Sequence, residues 1–147
     1  MYSLTVVTPE KLVFQDQASS VVAPGTLGYL EILRNHAAII TSLQPGKLVI
    51  TDKGNNKLLY AVSGGILEMF KNECTILADA IETPEEIDIA RAHSALERAK
   101  KRIEAHEKGL DLVRIKKALH RAENRIAIYQ KFQAHTTPHR TVLNLFE

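Results

Sequence analysis

Asp88, Arg91 and Arg98 are the residues of this 147-residue chain whose types and spacing most suggest chemistry, at intervals of three and seven. On a helix those intervals place all three on one face. Arginine forks match phosphate oxygens, and a carboxylate beside them can accept a hydrogen bond from an O–H or N–H donor. The plainer reading is an i,i+3 ion pair between Asp88 and Arg91 on a solvated face, worth about 0.2–0.5 kcal/mol. A second run of cations, Arg114, Lys116, Lys117, Arg121 and Arg125, follows further on and points to an acidic partner. Of the histidines at 36, 93, 106, 120, 135 and 139, His135 and His139 have four-residue spacing, but Pro138 interrupts any helix that would join them, so no metal site is expected. Gly64-Gly65 lies between apolar strands with no basic residue beside it, which fits a turn, bulge or tight packing site better than a phosphate cradle. Cys74, the single cysteine, reads as a small buried hydrophobe. No nucleophile with a base, glycine-rich phosphate loop or catalytic carboxylate pair stands out, so no catalytic residue and no required cofactor is expected.

Short β-branched and apolar runs separated by turn residues fill positions 2–82 and must supply the scaffold. The pattern predicts strands at 3–7, 11–14, 18–22, 28–33, 38–43, 47–51, 57–63, 66–70 and 73–79. Pro24-Gly25 and Pro45-Gly46 read as turns with φ > 0 available at the glycine, Asp52 to Asn56 as a hairpin loop, and Lys71-Asn72 as a two-residue turn. Strands so short and regular stack as a sandwich or flattened barrel. At Thr83 the period changes from two to about three and a half. Thr83-Pro84-Glu85-Glu86 predicts a helix start with Thr83 as N-cap. Ile89, Ala92, Leu96, Ala99 and Ile103 form one apolar seam, with Gly109 as a left-handed cap. Leu112, Ile115, Leu119, Ala122, Ile126 and Tyr129 form another, in a second helix that begins at Asp111. Two such helices joined by a short loop make an antiparallel hairpin. The expected fold class is thus α+β: a sandwich domain at 1–83, a helical hairpin at 84–132 and an extension at 133–147.

Composition excludes several classes. No apolar run approaches the roughly 20 residues of a bilayer span, and the start Met1-Tyr2-Ser3-Leu4 lacks a basic, then apolar, leader pattern. A lone cysteine rules out an internal disulfide. Positions 1–83 hold 6 Lys+Arg against 8 Asp+Glu, and 84–147 hold 13 against 9, so the halves carry −2 and +4. That excess is interleaved with acids, which fits a mixed-charge helix surface and not a nucleic-acid arm. Three of the eleven seam positions are alanines, and the hairpin is below the ~70–80 residues at which cores become dependable. It should need support to hold one arrangement, as a switch does, although a permanently docked hairpin fits the same residues.

Leu4 to Glu10, Val21 to Gly25 with Gly28, His36-Ala37 before Leu43-Gln44-Pro45-Gly46, Val62 to Glu68, Ile76 to Ala80 and Ile87 to Ala92 carry, in order, a resemblance that spans residues 1 to about 132. The chain resembles the epsilon subunit family of F-type ATP synthases of bacteria and plastids, called delta in mitochondria. The resemblance implies a ten-stranded β-sandwich with a helical hairpin. It implies a non-catalytic rotor subunit that couples proton transport to ATP synthesis and restrains ATP hydrolysis through the hairpin. The implied partners are the gamma subunit and c-ring, with acidic loops of the catalytic beta subunits, and alpha, when the hairpin extends. Nucleic acid is not among them, and the membrane, the cytoplasmic face of a bacterial inner membrane or its thylakoid equivalent, is reached through the complex. Members that bind ATP use an Ile-Asp-x-x-Arg-Ala segment, which Ile87, Asp88, Arg91 and Ala92 match. Glu82, Arg98, Arg121 and Arg125 are implied as further lining for a regulatory ATP, and His36, Arg114, Lys116 and Lys117 as partner contacts. Glu31, Arg34 and Ala38 depart from the family text, which has a glycine and two prolines around the histidine. The rivals are a stand-alone adaptor and a nucleotide-sensing module outside any rotary complex.

Overall fold

A computed structural model describes residues 1–105, 108–109 and 111–136, with the side chains of 135 and 136 left out. The chain divides between Thr83 and Pro84 into two compact units.

The first unit is built of seven strands: β1 (Tyr2–Val7), β2 (Leu12–Gly25), β3 (Gly28–Leu33), β4 (Ile39–Asp52), β5 (Lys57–Phe70), β6 (Glu73–Ala78) and β7 (Ile81–Glu82). Strands β1, β6, β5, β4 and β2 pair in that order, and β2 pairs back onto β1, which closes a five-stranded barrel. β3 is added outside the ring on β2, and β7 on β5. All pairings are antiparallel except β1 with β6.

The structure thus has seven strands, not the expected ten. The nine runs seen in the sequence shrink because β2, β4 and β5, each of 14 residues, continue through positions of turn composition without ending. Ile39↔Met69 through Thr51↔Lys57 keep one register along the whole β4–β5 hairpin, straight past Pro45-Gly46 and Gly64-Gly65. Those dipeptides are corners within strands. Gly46 is required by close approach and not by a positive φ: a Cβ there would lie 2.5 Å from Pro24 Cβ and 2.7 Å from the Tyr29 hydroxyl. Pro24-Gly25 likewise ends β2, and the turn that follows is Thr26-Leu27. Gly64 and Gly65 do take φ of 111° and 142°, and a Cβ on Gly65 would run into the Leu77 carbonyl, so the pair is a tight packing site. Lys71 and Asn72, at φ 47° and 60°, form the two-residue turn expected of them. Asp52 closes the β4–β5 loop by accepting from the N–H groups of Gly54 and Asn56 at 2.8 and 2.9 Å.

Alternation sets the core. Tyr2, Leu4 and Val6 of β1, Leu67 and Met69 of β5, and Cys74, Ile76 and Ala78 of β6 point inward with Val21, Ile32, Leu48, Ile50 and Val62. The Tyr2 hydroxyl donates to the Ile32 carbonyl at 2.7 Å, which satisfies the phenol in the interior.

In the second unit, Pro84–Glu86 forms a single 3₁₀ turn, α1 spans Ile89–Glu104 and α2 spans Leu112–Thr136. Thr83 is therefore not the helix cap. Asp88 is, with its Oδ1 accepting from the Arg91 N–H at 3.0 Å. The helix starts late because Pro84-Glu85-Glu86 closes on itself, with Ile87 N–H donating to the Pro84 carbonyl at 3.4 Å. α1 ends at Ala105, ahead of Gly109, which has φ 75° in the connection. α2 is capped by Asp111, as expected, and runs past Phe132 to Thr136.

The two helices pack on each other, and the 3₁₀ turn packs on α2. Ala92 and Ala99 are buried on the α1 seam; Ile115, Ala122 and Ile126 are buried on that of α2. Leu112, assigned to the seam, is instead 49 % exposed, and Ile128, outside it, is buried.

Candidate functional site

The capping geometry decides what Asp88 does first. Both helices open on an Asp-x-x-Arg step, and in both the aspartate Oδ1 accepts from the backbone N–H of the arginine, Asp88 from Arg91 at 3.0 Å and Asp111 from Arg114 at 3.1 Å. An aspartate at that position satisfies an orphan donor and meets the positive end of the helix dipole. The three-residue spacing that suggested an ion pair thus serves the backbone. Ile87 and Ala92, the apolar members of the motif, are buried at 5 % and 3 % exposure and serve packing. Arg91 and Arg98 are exposed on α1, two helical turns apart. Arg121 and Arg125, one turn apart on α2, are half-buried. Glu82 is half-buried and belongs to β7, in the other unit. The candidate nucleotide residues therefore sort into a strand glutamate, a helix cap, two packing residues and four arginines, of which the last alone have guanidinium groups to offer an anion.

Of the candidate partner contacts, Arg114, Lys116 and Lys117 are exposed in the first turns of α2. His36 is half-buried in the connection from β3 to β4, its Nδ1 2.7 Å from the Ala37 carbonyl. Cys74 is buried, and burial pushes its thiol up to about 12. His135 and His139 lie outside the described side chains.

A further surface was not apparent in the sequence. Register places Val7 opposite Leu12, Leu77 opposite Val7, and Ile66 opposite Leu77, so four apolar side chains line up across β2, β1, β6 and β5 on the outer face. Ile40 of β4 lies diagonally beyond Ile66 and continues the row. Five strands at about 4.8 Å spacing make the row about 19 Å long. Leu12, Leu77, Ile66 and Ile40 are 55 %, 51 %, 47 % and 74 % exposed, and Phe70, two residues below Glu68, is 54 % exposed. Glu68 and Glu73 are the charged residues of this face, which has no lysine or arginine at its register positions. A contiguous exposed apolar strip on a well-packed barrel marks a surface built to be covered.

A closed barrel with an apolar outer row, followed by a helical unit with exposed cations, defines a binding subunit of two parts. Residues 1–84 match the family described as ATP synthase, Delta/Epsilon chain, beta-sandwich domain, and residues 85–130 match ATP synthase, Delta/Epsilon chain, long alpha-helix domain; the chain belongs to this family. It is 46 % identical over 108 residues to the ATP synthase epsilon chain of Protochlamydia amoebophila, covering 74 % of each chain. It is 46 % identical over 102 residues to that of Desulfosudis oleivorans, covering 69 % of this chain and 77 % of the other. The Moorella thermoacetica epsilon chain is 44 % identical over 108 residues, with 74 % and 81 % covered. Among solved structures, a chain of the Euglena gracilis mitochondrial ATP synthase OSCP/F1/c-ring assembly has the same fold, with a TM-score of 0.65 and 23 % identity over 89 % of this chain and 78 % of that one. A chain of the Tetrahymena thermophila ATP synthase central stalk/c-ring assembly gives 0.55 and 23 %, covering 92 % and 96 %. The relatives this chain matches over two thirds or more of their length are thus epsilon chains of ATP synthases.

Proposed function

We propose that the chain docks on the gamma subunit through the outer row Leu12, Val7, Leu77, Ile66 and Ile40, turns with gamma and the c-ring, and restrains ATP hydrolysis through its helical unit. The exposed row is the observation that carries the proposal. Covering it removes four large apolar side chains from water, each worth up to about 1.5–3 kcal/mol when fully buried. Glu68 and Glu73 at its margin favour a partner with a basic rim. The complex would lie at the cytoplasmic face of a bacterial inner membrane, and the chain would meet the membrane through the complex; no described helix is long and apolar enough to cross one.

Weak packing of the helical unit supports a regulatory role. The fully buried side chains of α1 are two alanines, whose burial contributes far less than that of leucine or isoleucine. An arrangement held so lightly can be exchanged for another. Arg114, Lys116 and Lys117 would then meet acidic loops of the beta and alpha subunits, with His36 as a contact of the barrel unit. Arg91, Arg98, Arg121 and Arg125 are the groups that would hold the phosphates of a regulatory ATP.

Gel filtration of the full chain mixed with purified gamma tests the docking. Co-elution in a one-to-one complex is expected, and separate elution at micromolar concentration would return the chain to a stand-alone adaptor or nucleotide sensor.

A further inference from the structure

We propose that Asn35 and Asn72 form a clasp that positions the β3–β4 loop for partner binding, an inference that rests on the docking reading for its consequence but not for its geometry. Residues 34–38 join β3 to β4. Arg34, Asn35, Ala37 and Ala38 are exposed, none is proline, and the backbone bond within the loop is His36 N–H to the Leu33 carbonyl at 3.1 Å. A connection of that composition would ordinarily sample many conformations.

Here it is tied to a residue 37 positions away. The Asn35 N–H donates to Asn72 Oδ1 at 2.7 Å, and Asn72 Nδ2 donates back to Asn35 Oδ1 at 2.9 Å. The backbone donor fixes which end of the Asn72 amide faces the loop, and the returning bond uses the other end. The Asn72 carbonyl also accepts from the Ser3 N–H at 3.0 Å, so one residue gathers the β5–β6 turn, the β3–β4 loop and the start of β1. Both asparagines hold left-handed backbone, φ 65° and 60°, a region that asparagine enters more readily than most side chains.

What the clasp fixes in place is the end of the apolar face. Ile40 follows the loop and Phe70 precedes the turn, and these are among the face's most exposed large side chains, at 74 % and 54 %. His36 lies next to Asn35 itself. Neutral hydrogen bonds in solvent add little to global stability, so the effect of this pair falls on local order. Ordering a loop before association lowers the entropy lost when the partner arrives.

The test uses the full chain as Asn35→Gly, Asn72→Gly and the double variant, because glycine keeps the left-handed backbone, while Asn72→Gly removes both bonds of the clasp and Asn35→Gly only the returning one. Asn55→Gly, at φ 65° in the β4–β5 loop, is the control. Amide hydrogen exchange at residues 35–38 should quicken about tenfold in Asn72→Gly, by less in Asn35→Gly, whose backbone N–H still donates to Asn72, and no further in the double than in Asn72→Gly, with the control unchanged. Affinity for gamma should fall about fivefold in Asn72→Gly, by less in Asn35→Gly, and no further in the double. Unchanged exchange, or effects that add in the double variant, overturns the clasp. Faster exchange with full affinity overturns its positioning role. If the unaltered chain binds no gamma, the docking reading fails, while the exchange rates still decide whether the clasp orders the loop.

Discussion

Asp88 shows how one residue can satisfy a motif for a reason the motif does not state. Its spacing from Arg91 suggested ligand chemistry, and its geometry shows a helix cap. The two roles separate in mutants. Asp88→Ala should lower the stability of the helical unit by about 1 kcal/mol, seen in thermal melts of helicity, while Asp88→Asn, itself a good cap, should leave it nearly unchanged. Arg91→Ala should spare helicity in either case. If the arginines hold ATP, calorimetry on Arg91→Ala should lose the saturable heat that the unaltered chain gives at millimolar nucleotide; no heat from the unaltered chain would end the nucleotide proposal. Cys74 gives a second prediction at this scale. Burial holds its folded thiol neutral up to about 12, against 9.0 for an ordinary thiol. Between those values the unfolded chain loses a proton that the native chain keeps, so this thiol's contribution to stability should be constant below about pH 9 and fall above it. A thiol reagent at pH 8 should label the denatured chain and leave the native one unlabelled; rapid native labelling would contradict the burial.

At the scale of elements, much was legible and the failures share a cause. The change of period at Thr83, the Lys71-Asn72 turn, the Asp52 loop and the Asp111 start were all visible, because each depends on residues close in sequence. Strand number was not. Pro45-Gly46 has turn composition, yet β4 and β5 run past it in unbroken register, because the pairing on either side, which is not local in sequence, holds the strand through the dipeptide. The row of Leu12, Val7, Leu77, Ile66 and Ile40 was hidden for a related reason. Each member is an apolar residue at an outward position of an alternating strand, such as Ile66 beside Leu67, and only cross-strand register brings them into line. Ile128 escaped because it lies off the helical seam. Gly65 gives the prediction here. With φ 142° and the Leu77 carbonyl in the path of a Cβ, Gly65→Ala should cost at least about 2 kcal/mol in denaturant melts, far more than an ordinary surface change. A loss below about 0.5 kcal/mol would show that the β5–β6 contact relaxes freely.

At the scale of the molecule, a well-packed barrel is followed by a pair of helices of which the first buries only two alanines, against the isoleucines that the second buries. On the proposed function the barrel supplies permanence, and the helical unit supplies something that a partner or ligand can bias. Removing residues 84–147 should therefore raise the ATP hydrolysis rate of the assembled enzyme while leaving the barrel attached. An unchanged rate would mean that the helices are no brake.

The most direct measurement concerns the apolar row itself: the affinity of the full chain for purified gamma, compared with that of Ile66→Asp. Ile66 points outward, so the substitution should leave the melting temperature within a few degrees of the original. The account predicts a loss of affinity of at least about tenfold, from the burial of a carboxylate in an apolar contact. Undiminished binding by a stable Ile66→Asp chain would contradict it.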